Sequence, residues 1–185
     1  MSKSLIFQLD YLPAGAHYNN LRYILKKEHW NTIVNNVRKY KKYKCEFCNR
    51  QFDPKNTKVL KYLHCHEEWT FNYENRHQIL TNLLLLCNDC HNCQHINFAS
   101  LLNKEDKTLN HFKKMNNLSQ SDFNELKRNN LLFRNNCSDK TQISREQLDR
   151  VEEWSFKMGV KLSNYFEDVT TAEKMQEFLD YISNF

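Results

Sequence analysis

The chain has 185 residues and a formal net charge of +5, which is enough for one domain and too short for two large ones. Hydrophobic residues make up 40% of the chain, so a packed core can form, and this argues against disorder along its whole length. Gly and Pro occur only twice each, which excludes glycine-rich phosphate loops and turn-dense β-sandwiches and favours helices.

Residues 1–44 are an aromatic and basic N-terminal flank that is predicted to be helical. Leu21 and Ile24 suggest a short helix. A longer helix is predicted from apolar residues at helical spacing, namely Trp30, Ile33, Val37 and Tyr40. No apolar stretch in this flank has the length of a secretory signal, and none in the chain could cross a bilayer. We therefore expect a soluble, cytoplasmic protein without membrane contact.

Residues 45–103 hold six of the seven cysteines, arranged around two C-x-x-C pairs. The first pair is Cys45 and Cys48, the second is Cys87 and Cys90, and 38 residues separate them. A two-residue spacer lets two thiolates reach one ion, and structural zinc takes four tetrahedral ligands. The spacing predicts a closed structural Zn²⁺ site made by these four cysteines. Cys93 is a rival ligand.

Between and after these pairs the sequence predicts a hairpin followed by a helix. Residues 59–64 are predicted to form a strand, and residues 79–86 are mostly apolar and lead into the second cysteine pair. Asn88 or Asp89 can cap a helix that continues through His91 and His95 to Leu102.

Residues 104–185 are predicted to be a C-terminal helical region packed on the core. One helix is predicted from Leu148, Val151, Trp154 and Met158, with Gly159 at its C-terminal end. Thr170 and Glu173 have the spacing of a capping box. The helix that they open has an apolar face made by Met175, Phe178, Leu179 and Ile182. We interpret both stripes as core packing. Cys137 is expected to be a free thiol.

The order of the remaining chemistry-bearing residues resembles that of the HNH endonuclease family. His64, Cys65, His66, Glu67 and Trp69 come first, Asn82 follows, and His91 and His95 flank the last cysteines. The C-H-E-x-W signature from Cys65 to Trp69 looks like one branch, whose core follows a region similar to Asn20-Leu21-Arg22 with a downstream Trp, here Trp30. The resemblance implies an α+β fold, mostly helical. It also implies a small ββα-metal core at residues 45–103 that contains a structural zinc site. N- and C-terminal helices would flank this core.

The resemblance also implies catalytic roles for three residues. His66 takes the position of the general base, Asn82 holds this base and its loop by hydrogen bonding, and His91 binds the catalytic divalent ion. The chemistry is reasonable, because an imidazole with an ordinary pKa of about 6.5 suits a general base. His95 lies four residues after His91, so both side chains project from one helical face and can chelate the same ion.

Cys65 departs from the family pattern, which commonly has a metal-binding Asp or His at this position. A thiolate suits a soft ion better than Mg²⁺. Either Cys65 is a ligand of Mn²⁺, Ni²⁺ or Zn²⁺, or waters or His64 fill the coordination shell of Mg²⁺ or another ion. Glu67 and His64 are expected to orient the ligands. Ordinary surface or core positions are expected for His17, His29, His77 and His111.

The leading hypothesis is a metal-dependent HNH endonuclease that nicks or cuts DNA, taken as double-stranded. Basic residues between Arg38 and Lys44, together with Lys55, Lys58 and Lys61, would contact neighbouring phosphates. The alternative is a non-catalytic, zinc-stabilised module that binds nucleic acid or protein, and a third reading is a nuclease weakened by Cys65. A homodimer or a protein partner is left open. Proteins of this family and size occur in phages, mobile elements and defence systems.

Overall fold

The computed structural model describes residues 5–9, 20–72, 74, 77–129, 132, 155–159, 161–166 and 169–182. The chain forms two compact units. The first unit comprises Met1–Tyr11, Tyr43–His64 and Leu85–Asn135, and the second comprises Leu12–Lys42, Cys65–Leu84 and Asn136–Phe185.

The described elements give a mixed α+β fold, as the sequence predicts. In chain order they are α1 (Leu21–Ile24), α2 (Lys27–Tyr40), α3 (Thr57–Leu60), β1 (Leu63–Asn72), β2 (His77–Cys87), α4 (Asn88–Gln94), α5 (Ile96–Leu101), α6 (Glu105–Met115), α7 (Gln120–Arg128), β3 (Ser155–Met158), a 3-10 helix (Leu162–Tyr165) and α8 (Val169–Ile182). None of the helices in the described part of the chain is both long enough and apolar enough to span a lipid bilayer.

Within the described residues, β1, β2 and β3 form a three-stranded sheet with β2 in the middle. Only four residues join β1 to β2, so these strands pair antiparallel, because parallel neighbours need a much longer crossover. Helix α4 begins directly after β2. The predicted order of hairpin and helix is therefore present.

Strand β3 corrects the predicted C-terminal helix. It runs parallel to β2, with Ser155 opposite His77 and Met158 opposite Leu80. Gly159 follows the strand, and its N–H donates to the Leu80 carbonyl at 2.8 Å. A Cβ at residue 159 would lie 2.8 Å from that oxygen, so glycine is required by close approach and not as a helix terminator. Leu148, Val151 and Trp154 lie outside the described residues, as does Cys137.

Two further boundaries differ from the sequence prediction. The strand predicted at 59–64 begins only at Leu63, because residues 57–60 form the short helix α3. The helix predicted from residue 88 to 102 is interrupted at His95, whose φ of −123° and ψ of 47° are not helical. The chain continues from there as α5.

In the second unit, α2 buries its predicted apolar stripe, and of the stripe predicted for α8 the described side chains show Leu179 buried and Met175 half-buried. Trp30, Ile33 and Val37 of α2 are buried, which confirms the helical stripe, but Tyr40 at its end is 57% exposed. Ala172 and Leu179 of α8 are fully buried. These spacings follow the helical repeat, so one face of each helix contributes to the core.

The first unit has an aromatic core of its own. Phe7, Phe112 and Phe123 belong to one buried cluster, which also contains Cys93, and Phe7 stacks on Phe47 with ring centroids 4.6 Å apart. Helix α7 starts with a capping box in which the Ser119 side chain and the Asp122 backbone are paired. This core supports α4 and α6, the helices that border the candidate site.

Candidate functional site

The two C-x-x-C pairs converge on one point in the first unit. The four Sγ atoms all lie within 4.8 Å of one another; they belong to Cys45, Cys48, Cys87 and Cys90. The Cys48 and Cys87 sulfurs are 3.5 Å apart, too far for a disulfide and close to the roughly 3.8 Å edge of a tetrahedron with 2.3 Å Zn–S bonds. The predicted convergence is confirmed, and this cysteine cluster fits a tetrahedral metal ion.

A tight turn presents the first cysteine pair. Cys45 N–H donates to the Arg50 carbonyl, and Asn49 N–H donates to the Cys45 carbonyl, each at 2.9 Å. Asn49 has a φ of 59°, a left-handed conformation that Asn tolerates better than most residues. The turn thereby folds Cys48 back beside Cys45.

Glu46 fastens this turn to the end of β2. Its backbone N–H donates to the Leu85 carbonyl at 2.9 Å, and its carboxylate accepts the Leu85 N–H at 2.7 Å. Cys87 lies two residues further along the chain and precedes α4, and Cys90 lies in the first turn of that helix. The first-turn position of Cys90 explains how it reaches the same point as Cys87.

The thiols of the cluster cannot all ionise by themselves. Hydrogen bonding with Cys87 lowers the pKa of Cys45, whereas the bond with Cys45 raises the pKa of Cys87. Hydrogen bonds with Cys45 and Cys87 also raise the pKa of Cys90. A divalent cation would replace the retained protons, because it favours the thiolate form of every ligand.

Charged side chains surround the cluster. Asp89 accepts from Arg50 at 3.3 Å and forms an ion pair with Lys107 at 3.3 Å. Burial alone would raise the pKa of Asp89, but its hydrogen bond and charge pairing with Lys107 outweigh it and lower that pKa. Once Cys87 has lost its proton, its negative charge raises the pKa of Arg50. This positive charge partly balances the thiolates.

His111 on α6 contacts the cysteine cluster, which the sequence did not reveal. Its Nε2 lies 3.2 Å from the Cys90 sulfur, although the sequence predicts an ordinary surface or core histidine. Burial lowers the pKa of His111, which favours a neutral ring able to donate an N–H to a thiolate. The only sequence signal is its position on α6 beside the buried residues Thr108 and Phe112.

Three histidines of the first unit lie against one another. His64 stacks on His91 with centroids 4.5 Å apart and planes 14° apart, and His91 meets His95 edge-on at 4.5 Å and 63°. One ring nitrogen of His91 lies within 4.8 Å of one of His95. The inclined pair can point two nitrogens at one ion even though His95 lies at the end of α4. Binding of a catalytic ion by this pair stays a prediction. The His64 ring packs nearly parallel to the His91 ring and contacts its face.

The other two residues with predicted catalytic roles belong to the second unit. His66 is on β1 and only 4% exposed, and strand alternation gives it the same face as His64. Asn82 is on β2. Its Oδ1 accepts hydrogen bonds from the backbone N–H of Leu83 at 2.9 Å and from the Tyr165 hydroxyl at 3.2 Å. Tyr165 is thus a partner of Asn82 that the resemblance does not imply.

Cys65 and Cys93 are placed differently from the proposed ligands. Cys65 is 5% exposed on β1, where alternation turns it to the face opposite His64 and His66. Cys93 is fully buried in the aromatic core, and its sulfur donates to the Asp89 and Thr108 carbonyls. Burial raises the pKa of Cys93 to about 12, so it stays a thiol and does not rival Cys90.

Glu67 binds the N-terminus of α1. Its carboxylate accepts the Leu21 N–H at 3.0 Å, and the guanidinium of the next residue, Arg22, lies 5.6 Å above the Trp30 ring. Within the second unit, the Glu67 carboxylate therefore binds a helix end. Its expected role of orienting a metal ligand stays a prediction. The contact with Leu21 joins the C-H-E-x-W signature to the Asn20-Leu21-Arg22 region. In the sequence, the family resemblance alone connects these two segments.

Replacing Glu67 by Gln is expected to flatten the pH dependence of stability. Burial raises the pKa of Glu67 from 4.5 to about 7, against the opposing effects of the Leu21 N–H and the Arg22 charge. The folded state therefore holds the proton on the Glu67 carboxyl more tightly than the unfolded state does. The contribution of this proton to folding stability is fully present below pH 4.5 and is lost as the pH rises through about 7. Relative to Glu67→Gln, the wild type should lose up to about 3 kcal/mol between pH 4.5 and 8.

Urea unfolding of both proteins at several pH values measures this difference. The control is Glu28→Gln on the exposed surface of α2, which should keep the wild-type pH dependence. Parallel curves for wild type and Glu67→Gln would contradict the assigned pKa.

Comparison with known proteins assigns no family to the chain. No protein-family model matches it, and neither does any curated protein or solved structure.

Proposed function

We propose that this protein is a metal-dependent HNH endonuclease that hydrolyses phosphodiester bonds of DNA, with a structural zinc ion in the cysteine cluster. Thiolate ligands favour zinc over Mg²⁺ or Ca²⁺, and four of them leave no open coordination position, so this ion is structural. The proposal assigns catalysis to the histidines.

One observation carries the proposal: the helix that follows the hairpin holds both a cluster cysteine and a pair of converging histidines. Cys90 and His91 are adjacent on α4, and His95 lies at its end with its ring 4.5 Å from that of His91. A metal bound to the cysteine cluster would fix the helix from which these imidazoles project. The order of hairpin and helix agrees with the resemblance to the HNH family.

In this proposal His91 and His95 hold the catalytic divalent ion, and His66 removes a proton from the attacking water. A divalent ion bound there supplies positive charge for the leaving oxygen and the non-bridging oxygens. His66 follows His64 by two residues on the same face of β1, and His64 stacks on His91. We leave Cys65 out of the ligand set because its side chain is on the face of β1 opposite to that of His64 and His66. Imidazole ligands favour Mn²⁺, Ni²⁺ or Zn²⁺ over Mg²⁺.

Exposed lysines of the first unit can contact the DNA backbone. Lys55 precedes α3, Lys58 lies on it and Lys61 follows it, and all three are exposed. Contacts of this kind position a duplex without reading its sequence, and they weaken as salt rises.

Nicking of a supercoiled plasmid tests the proposal directly. The wild type should nick with Mn²⁺, Ni²⁺ or Mg²⁺ and stop when these ions are withheld. His91→Ala should be slower by at least about 100-fold, because the cation that stabilises developing charge is lost. His29→Ala, on the exposed surface of α2, is the matched control and should keep the full rate. Absence of nicking with every ion, or equal rates for His91→Ala and wild type, would reject the proposal.

The non-catalytic zinc module remains the second candidate. The observation that favours it is the nearly parallel stack of His64 on His91, because aromatic stacking alone can account for the position of these rings. Metal stoichiometry separates the candidates. One tightly held zinc ion alone supports the module, and a second, exchangeable ion that is lost in His91→Ala supports the nuclease.

A further inference from the structure

The second unit contains a cavity of about 440 Å³ that has no role in the proposed hydrolysis. Its size falls in the range of small-molecule sites. Side chains from α2, the 3-10 helix and α8 line it, together with the residue that follows the 3-10 helix: Thr32, Asn36, Lys39, Tyr40, Asn164, Tyr165, Phe166 and Thr171. Among these described lining residues none is acidic, so the cavity suits an anionic or neutral ligand.

Aromatic rings form one part of the lining. Tyr40 and Tyr165 meet edge-on with centroids 5.2 Å apart, and the Tyr165 ring is 8% exposed whereas that of Tyr40 is 57% exposed. The Tyr165 hydroxyl donates to Asn82 on β2, which fixes this ring in place. The exposed Tyr40 ring therefore offers a π face to a ligand beside a fixed aromatic wall.

Amides and positive charge form the other part. Asn36 and Asn164 can each donate and accept, as recognition of a base edge requires. Lys39 brings an ammonium group to the lining, and Lys41 Nζ lies 5.7 Å and 5.9 Å from the centroids of Tyr40 and Tyr165. An aromatic surface, two amides and adjacent cations match the base and the phosphate of a nucleotide.

We propose that this cavity binds a nucleotide, with its base stacked on Tyr40 and its phosphate at Lys39. A neutral sugar would leave the lysines unused, and inorganic phosphate would leave the aromatic and amide groups unused. The nucleotide is either free or one unit of a single-stranded nucleic acid, since both present the same chemistry. This inference does not depend on nuclease activity.

Calorimetric titration of the zinc-loaded 185-residue chain with 5′-AMP tests the proposal. Saturable binding is expected, with adenosine and ribose 5-phosphate each at least about tenfold weaker, because each lacks one of the two recognised groups. Tyr40→Ala should weaken 5′-AMP at least about fivefold through lost stacking, and Lys39→Glu about tenfold or more. Tyr23→Ala and Lys27→Glu change another exposed tyrosine and another exposed lysine, both outside the lining, and should bind 5′-AMP as the wild type does.

A single-stranded hexamer of deoxyadenosine distinguishes the two sources. Tighter binding of the hexamer than of 5′-AMP supports a strand, and weaker binding supports a free nucleotide. Absence of saturable binding for both probes would overturn the proposal. So would equal affinity for ribose 5-phosphate and 5′-AMP, or equal losses in Lys39→Glu and Lys27→Glu. A chain that binds 5′-AMP but nicks no plasmid would reject only the nuclease.

Discussion

Replacing Cys45 by Ser is expected to abolish zinc binding and unfold the first unit. Cys45 is fully buried in the cysteine cluster, and three remaining thiolates cannot complete a tetrahedral site. Structural zinc contributes roughly 10–16 kcal/mol of apparent binding free energy, about as much as the whole stability of an ordinary domain. Metal analysis of the purified protein and thermal unfolding followed by circular dichroism measure both losses.

Cys93→Ala is the matched control for this prediction. Its thiol is as buried as that of Cys45, but it lies in the aromatic core and not in the cluster. We expect one zinc ion per chain to be retained and stability to fall by about 1 kcal/mol, a packing loss of ordinary size. Full zinc occupancy in Cys45→Ser would contradict the assignment of a structural zinc site to the cysteine cluster. Absence of zinc from a wild type produced with ample zinc would contradict it as well.

The cysteine cluster was predictable because its geometry is mostly local. Each C-x-x-C spacing places two sulfurs on one turn, and only one long-range pairing has to be guessed. The buried stripe of α2 was predictable for the same reason, since helical periodicity is written in consecutive residues. In both cases the residues that determine the structure are close in sequence.

Non-local features were missed. Residues 155–158 form β3 because β2 offers a free edge, and a four-residue segment has too little periodicity to reveal that pairing. His111 lies 21 residues after Cys90, and no spacing rule connects an α6 histidine to an α4 thiol. Asn82 was found through its place in a family order, but its bond with Tyr165 joins positions 83 residues apart. Long-range contacts whose partners belong to no recurring motif leave no pattern in a single sequence.

Replacing His66 by Ala is expected to lower the rate of metal-dependent plasmid nicking by about 10²–10⁴-fold, the usual contribution of a positioned general base. The proposed function assigns to this imidazole the proton of the attacking water, and methyl cannot accept it. Because the proposed ion is held by His91 and His95, the variant should still bind a second, exchangeable ion. Rates at saturating Mn²⁺ and equilibrium metal binding, measured on the same preparation, separate loss of the base from loss of the cation.

The side chain of His66 is only 4% exposed, so truncation to Ala also removes packing. His66→Asn fills more of the same space without a base of suitable pKa and should be as slow as His66→Ala while unfolding at a temperature closer to that of the wild type. Retained zinc in both variants would show that the first unit is intact. His29→Ala supplies the exposed-histidine control. Wild-type rates in a folded His66→Asn protein would exclude His66 as the base, and the activated water would then need another proton acceptor.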